Sequence, residues 1–100
     1  MIIVMGEFRL NADNMEKIRP HMDTVIKKSN EEAGCISYRF SEAIGDPGLI
    51  RVSEKWKSFE DLELHFQTEH MNNWRTVVKD LGGASDRDVS AYEVILQKEL

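Results

Sequence analysis

Glu54 and Trp56 are the first residues that could do chemistry. They lie two positions apart in an alternating apolar and polar segment, so both side chains point to one face of a predicted strand. Burying a carboxylate in such an apolar row is costly, so Glu54 either has a structural partner or belongs to a binding site. The indole of Trp56 offers an N–H donor and a flat wall. We predict that Trp56 borders a ligand pocket.

Two histidines follow, His65 and His70. On one continuous helix a five-residue spacing sets them about 140° apart, which is wrong for a shared His-x-x-x-His metal site. Each lies at an edge of the apolar stripe predicted from Phe59, Leu62 and Phe66. Imidazoles beside an aromatic pocket can serve as acid or base near neutral pH. We predict that one of them is the base and that no metal binds; the structural alternative is two hydrogen-bonded residues at the edge of the core.

Hydrophobic periodicity predicts the elements that position these groups. Strands have period two and helices have apolar spacings of three and four. Gly45-Asp46-Pro47-Gly48 predicts a hairpin turn, Ser58 a helix cap, and Gly34 and Gly82-Gly83 helix ends. The predicted order begins with a strand over residues 2–10, a helix over 15–32 and two hairpin strands over 35–42 and 49–57. A helix over 58–66, a further helical piece over 71–81 and a last strand over 88–97 follow.

This order predicts the fold class. Strand, helix, strand, strand, helix, strand closes most simply as an α+β, ferredoxin-like βαββαβ fold, with a four-stranded antiparallel sheet and the helices on one face. One hundred residues fit a single domain over residues 1–100.

The strand alternation also sorts the two faces of the sheet. The face that the helices cover is predicted to carry Ile36, Tyr38, Phe40, Ile50, Val52, Glu54 and Trp56. The opposite face mixes apolar and charged residues: Ile3, Met5, Glu7, Arg39, Arg51, Ala91, Glu93 and Ile95. Such a mixed face is typical of a sheet that meets a second copy, so we predict a homodimer; the alternative is a solvated face.

Composition excludes several classes of function. The net charge is −5 and the basic residues are scattered, which disfavours nucleic acid as a partner. No window approaches the ~20 apolar residues that cross a membrane. Cys35 is the only cysteine, so no disulfide or thiolate metal cluster is predicted and a reducing cytoplasm fits.

Three stretches together resemble the antibiotic biosynthesis monooxygenase family, particularly its quinol-monooxygenase-like branch. They are Glu32-Ala33-Gly34-Cys35-Ile36-Ser37-Tyr38, Asp46-Pro47, and Glu54-Lys55-Trp56 running on to His65-Phe66-Gln67-Thr68-Glu69-His70-Met71. The similarity covers roughly residues 1–97. The resemblance implies a dimeric α+β barrel with a pocket between sheet and helices. It also implies oxidation of a small quinol or hydroxy-aromatic compound by O2 without metal, flavin or other cofactor.

Carried over to this chain, the resemblance places Trp56 at the pocket with Glu54, His65 and His70 around it. The neighbouring apolar side chains complete the expected substrate site: Tyr38, Phe40, Val52, Leu62 and Phe66. Related proteins degrade haem or isomerise a small molecule. Two alternatives to the oxygenase therefore stay open on the same fold, a small-molecule isomerase and a ligand-binding module without turnover.

Overall fold

The computed structural model describes residues 1–100 and confirms the predicted fold class. Its strands are β1 Ile2–Leu10, β2 Cys35–Glu42, β3 Leu49–Trp56 and β4 Ala84–Glu93, and its helices are α1 Met15–Asn30, α2 Phe59–Phe66 and α3 Glu69–Asp80. The strands form one sheet in the order β2-β3-β1-β4, and every neighbouring pair is antiparallel. This is the ferredoxin-like arrangement of two βαβ halves.

The core lies between the sheet and the helices. Alternate residues of β1 and β3 are buried in it, and α1 contributes an apolar stripe at spacings of three and four to the same cluster. Ile18 of α1 and Ile50 of β3 are both fully buried at its centre. None of the helices has the length and apolar composition needed to span a membrane.

The predicted helix after Ser58 and the further helical piece are two separate helices, and the second begins two residues earlier than predicted. Ser58 caps α2 as expected, because its hydroxyl accepts a hydrogen bond from the Asp61 N–H. The helix ends at Phe66, and Thr68 caps α3 in the same way through the Met71 N–H. The predicted stripe was wrong in part: Phe66 and Phe59 are half exposed, and the buried residues of α2 are Leu62 and His65.

The predicted last strand was wrong in its bounds and its facing. It begins at Ala84, soon after the positive-φ pair Gly82-Gly83, and ends at Glu93, so Ile95 lies outside it and is exposed. Val4 pairs with Ala91 and Ile2 with Glu93. Because paired residues share a face, Ala91 and Glu93 lie on the helix-covered side rather than the outer side.

One residue of β2 departs from the predicted alternation. The register between β2 and β3 shifts between Cys35 and Ser37, which is a β-bulge. A bulge leaves its extra residue unpaired and turns it away from the regular pleat. Ile36 is therefore half exposed, whereas Tyr38, two residues on, is buried as expected.

The burial difference between two isoleucines gives a test of this core. Ile50→Ala should lower the free energy of unfolding by about 2–5 kcal/mol, because it leaves a cavity at a fully buried position. Ile44→Ala is the matched control, since Ile44 is fully exposed in the turn after β2 and its loss should change stability by less than about 0.5 kcal/mol. Urea unfolding of both variants measures the difference, and equal losses would contradict the described core.

Candidate functional site

A small chamber of about 140 Å³ lies between the sheet and helices α2 and α3. We call it the inner chamber. Its walls are mainly apolar, and they also hold a carboxyl group, Glu54, an imidazole, His65, and one cation, Arg87. Seven residues predicted for the site line it: Tyr38, Phe40, Val52, Glu54, Leu62, His65 and Phe66. The inner chamber thus brings together most of the predicted set.

A second, larger chamber of about 440 Å³ adjoins the first. We call it the outer chamber. The two chambers share five wall residues, Phe8, Phe66, Met71, Trp74 and Arg87. The outer chamber extends along α3 and the start of β4. A ligand longer than one ring would therefore have a continuous wall from the inner chamber towards α3.

Glu54 places a carboxyl group in the inner chamber wall. It is buried, and its Oε1 accepts a hydrogen bond of 2.9 Å from the Trp56 indole N–H. Burial raises the pKa of Glu54 from its ordinary 4.5 to about 7, because the charged form loses solvation; the Trp56 N–H and the Arg87 cation act in the opposite direction. A carboxyl group titrating near neutral pH can both hold and release a proton.

Trp56 lies one layer behind the chamber rather than in its wall. Its side chain is fully buried and is not among the chamber's lining residues. Its ring packs against the Tyr38 and His65 rings, with centroids 6.3 and 4.6 Å away. The prediction that Trp56 borders the pocket is therefore wrong, because the side chains of Glu54 and His65 line the chamber and the indole does not. Trp56 acts instead on Glu54 through its N–H.

His65 presents its ring to the inner chamber. Its Nδ1 lies 2.6 Å from Oε2 of Glu32, and its Nε2 makes no hydrogen bond. Burial lowers the pKa of His65, although the hydrogen bond and charge of Glu32 act to raise it. The neutral ring then carries its proton on Nδ1, directed at the carboxylate, and keeps the Nε2 lone pair for a proton from a ligand.

His70 does not line the inner chamber. Its Nε2 lies 2.8 Å from the same Glu32 oxygen, and its ring borders a separate cleft between α1 and α3. The break between α2 and α3 explains why the two histidines do not point about 140° apart, as expected for one continuous helix. Because His65 ends one helix and His70 begins the next, their ring centroids come within 6.0 Å of each other.

Glu32 is the site residue that the sequence reasoning missed. It lies in the turn after α1, outside both the helix stripe and the strand alternation. Its contacts to the histidines span 33 and 38 residues of chain, so no local periodicity reports them. The one signal was its position at the head of Glu32-Ala33-Gly34, the first stretch on which the family resemblance rests.

The same three side chains are also the best candidates for holding a metal ion. One ligand atom from each of Glu32, His65 and His70 lies within 4.8 Å of the others. Two imidazoles and a carboxylate are ligand types that suit zinc and other divalent ions. In the structure both ring nitrogens hydrogen-bond to one oxygen, so an ion would have to replace two protons and spread the cluster. The absence of a metal stays a prediction.

The raised pKa of Glu54 predicts how stability depends on pH. Between about pH 4.5 and 7 the unfolded chain loses this proton while the folded chain keeps it, so the carboxyl group destabilises the fold as pH rises. Glu54→Gln keeps an acceptor for the Trp56 N–H and removes the titration. The variant should therefore gain about 3 kcal/mol relative to wild type between pH 4.5 and pH 8.

Urea unfolding of both proteins across this range measures the gain. Glu63→Gln removes an exposed carboxylate on α2 and is the matched control; its difference from wild type should stay nearly constant with pH. A Glu54→Gln difference that is flat across the range would contradict the described burial of the carboxyl group.

Comparisons with known proteins agree with this architecture. A 93-residue match of 29% identity covers 93% of the chain and 63% of the uncharacterized protein sll1783 of Synechocystis, so the chain spans less than two thirds of that relative. "Putative monooxygenase YcnE" of Bacillus subtilis is 22% identical over 81 residues, which cover 81% of the chain and 85% of that protein.

Solved structures share the fold. A Deinococcus radiodurans crystal structure that bears the name of an antibiotic biosynthesis monooxygenase superposes with a TM-score of 0.88 at 22% identity, over 100% of this chain and 98% of its own. Rv0793 of Mycobacterium tuberculosis superposes with a TM-score of 0.74 at 26% identity, over 98% and 96%. The sequence profile of the antibiotic biosynthesis monooxygenase family matches residues 1–77. The chain therefore belongs to the antibiotic biosynthesis monooxygenase family.

Proposed function

We propose that the protein is a cofactor-independent monooxygenase that oxidises a small quinol or hydroxy-aromatic compound with O2. The observation that carries the proposal is the state of His65. Its Nδ1 is held by Glu32, its Nε2 is unbonded, and its ring faces a mainly apolar chamber with aromatic walls. This is the arrangement of a general base whose tautomer is fixed by a carboxylate.

The reaction needs only a base, an aromatic site and the exclusion of water. Nε2 of His65 takes the phenolic proton, and the electron-rich anion passes one electron to O2. The resulting phenoxyl radical and superoxide join at a ring carbon that bears a hydrogen, ortho or para to the oxygen, and the peroxide anion takes the proton back from His65. This carbon then loses its hydrogen as a proton while the O–O bond breaks, so one oxygen atom stays on the quinone product as a carbonyl and the other leaves in water.

The geometry favours His65 over His70 as the base. His70 uses its Nε2 on Glu32 and borders a different cleft, so it does not reach a ligand in the inner chamber. Glu54 adds a second proton-holding group, because its pKa of about 7 keeps a large protonated fraction at neutral pH. It can donate a hydrogen bond to the oxygen of the bound ring. The family name and the name of YcnE support a monooxygenase.

Oxygen uptake tests the proposal. Wild-type protein should consume O2 above the rate without protein on at least one member of a panel of quinols and naphthols. His65→Gln should lower this rate by about 100-fold or more, because the base is lost while an amide still reaches Glu32. His21→Gln is the matched control, since His21 is an exposed histidine of α1 that lines neither chamber, and its rate should match wild type.

Circular dichroism and thermal unfolding must first show that His65→Gln is folded. Dialysis against a chelator should leave the wild-type rate unchanged. A rate lost on chelation and restored by a divalent ion would contradict the cofactor-independent mechanism and assign the Glu32, His65 and His70 cluster to a metal. Conversion of a ligand without O2 uptake would replace the oxygenase with an isomerase. Binding with no turnover of any ligand would leave a binding module.

We also propose that the protein is a homodimer through the outer face of the sheet. Met5 and Tyr92 are each more than half exposed on this face, beside Ile3. Glu7 pairs across β1 and β3 with Arg51, so the face carries both charge signs next to apolar side chains. A two-fold axis can match such a face with itself, because each charge then meets its opposite on the second copy.

Sedimentation at micromolar concentration tests the dimer. Wild type should sediment at twice the monomer mass, and Met5→Arg should shift it to the monomer by placing a charge in the interface. Ile44→Arg adds the same charge at an exposed turn position away from this face and should remain dimeric. A monomeric wild type would overturn the proposal.

A further inference from the structure

The polar groups of the outer chamber are all cationic. Its charged lining residues are Arg75 and Lys79 of α3 and Arg87 of β4, and no carboxylate lines it. The remaining walls are apolar or glycine. In a chain of net charge −5, three cations around one cavity without an acid are a local reversal of the protein's overall charge.

None of these three cations has a carboxylate partner. Arg75 donates to the backbone oxygen of Phe66 and to the Asn72 side chain, which hold its guanidinium in place without neutralising it. The Arg87 guanidinium lies 5.9 Å from the Phe8 ring centroid, over the wall that both chambers share.

Two of the four other arginines of the chain, Arg9 and Arg19, form salt bridges with carboxylates, whereas Arg39 and Arg51 do not. Arg9 and Arg19 each donate a pair of hydrogen bonds of 2.9–3.0 Å to one carboxylate, Asp46 and Glu42 respectively. Arginine forks readily find carboxylates on a protein surface, and bidentate pairs are the strong form of this contact. Arg75, Lys79 and Arg87 keep their charge available to a ligand in the chamber.

We propose that the ligand of this site is a hydroxy-aromatic compound that carries a carboxylate at the end remote from its hydroxyl group. The cations of the outer chamber bind the carboxylate, and the hydroxyl end enters the inner chamber beside His65. This inference rests on the proposed function for the role of His65, while the anion site itself does not depend on turnover.

The two chambers fix the direction in which such a ligand binds. The inner chamber, at about 140 Å³, has room for little more than one ring, and its wall holds one cation, Arg87, beside the Glu54 carboxyl group. The outer chamber offers three cations and three times the volume. Reversing the ligand would place its anion beside one cation instead of three and its hydroxyl group away from His65, so the site favours one orientation.

Calorimetric titration with a matched ligand pair tests the inference. The probes are 6-hydroxy-2-naphthoate and 6-hydroxy-2-naphthamide, which have nearly the same shape and differ in charge. Wild type should bind the carboxylate about tenfold or more tightly than the amide, since a charge-assisted hydrogen bond is worth this ratio or more. Lys79→Gln and Arg87→Gln should each reduce the ratio several-fold. Lys17→Gln removes an exposed charge of α1 outside both chambers and should leave it unchanged.

Equal affinity of wild type for the two probes would overturn the anion site. A preference that survives in both chamber variants would overturn its assignment to these residues. Thermal unfolding checks that each variant is folded. If Arg87→Gln destabilises β4, Lys79→Gln on α3 still tests the anion site. Carboxylate preference without O2 uptake would support the anion site and contradict the oxygenase, whereas O2 uptake without the preference would do the reverse.

Discussion

One carboxylate oxygen holds the candidate site together. Oε2 of Glu32 accepts hydrogen bonds from His65 and His70, so it joins the turn after α1 to the end of α2 and the start of α3. Without this acceptor a fully buried imidazole N–H would have no partner, which costs about 1–3 kcal/mol. The tautomer of His65, and with it the lone pair on Nε2, thus depends on a residue that is not in the chamber wall.

Burial shifts the pKa values of Glu54 and His65 in the inner chamber in opposite directions, and in both groups it favours the neutral form. It raises the pKa of Glu54 to about 7 and lowers the pKa of His65, so each group is neutral over a wider pH range than in water. A neutral carboxylic acid and a neutral imidazole form an acid and base pair in a chamber suited to an uncharged ring. Arg75 and Lys79 lie farther out, in the outer chamber, and Arg87 lies in the wall that the two chambers share, so a charged substituent can meet them at the end remote from the reacting group.

The sequence was most informative where the physics is local. Period-two alternation predicted β1 and β3 closely, and the turn Gly45-Asp46-Pro47-Gly48 joined the hairpin as expected. β4 was misplaced because it is a mainly exposed edge strand, whose polar residues show little alternation. A separate helical piece was predicted from residue 71, and Thr68 followed by Glu69, a common helix start, indicates its true beginning. The angle between His65 and His70 was nevertheless worked out for one continuous helix, and this placed the two side chains too far apart to meet.

Groups that meet only in the folded protein were beyond such reasoning. Along the chain Arg75, Lys79 and Arg87 look like scattered surface charges in an acidic protein. The first two lie one helical turn apart on α3, and the antiparallel docking of β4 against β1 brings the third to the same chamber. A net charge summed over the whole chain cannot reveal this, because a ligand responds to the charges within a Debye length of about 8–10 Å. An acidic protein can therefore carry a site for an anion, and here the three cations that form it line one chamber without a carboxylate in its wall.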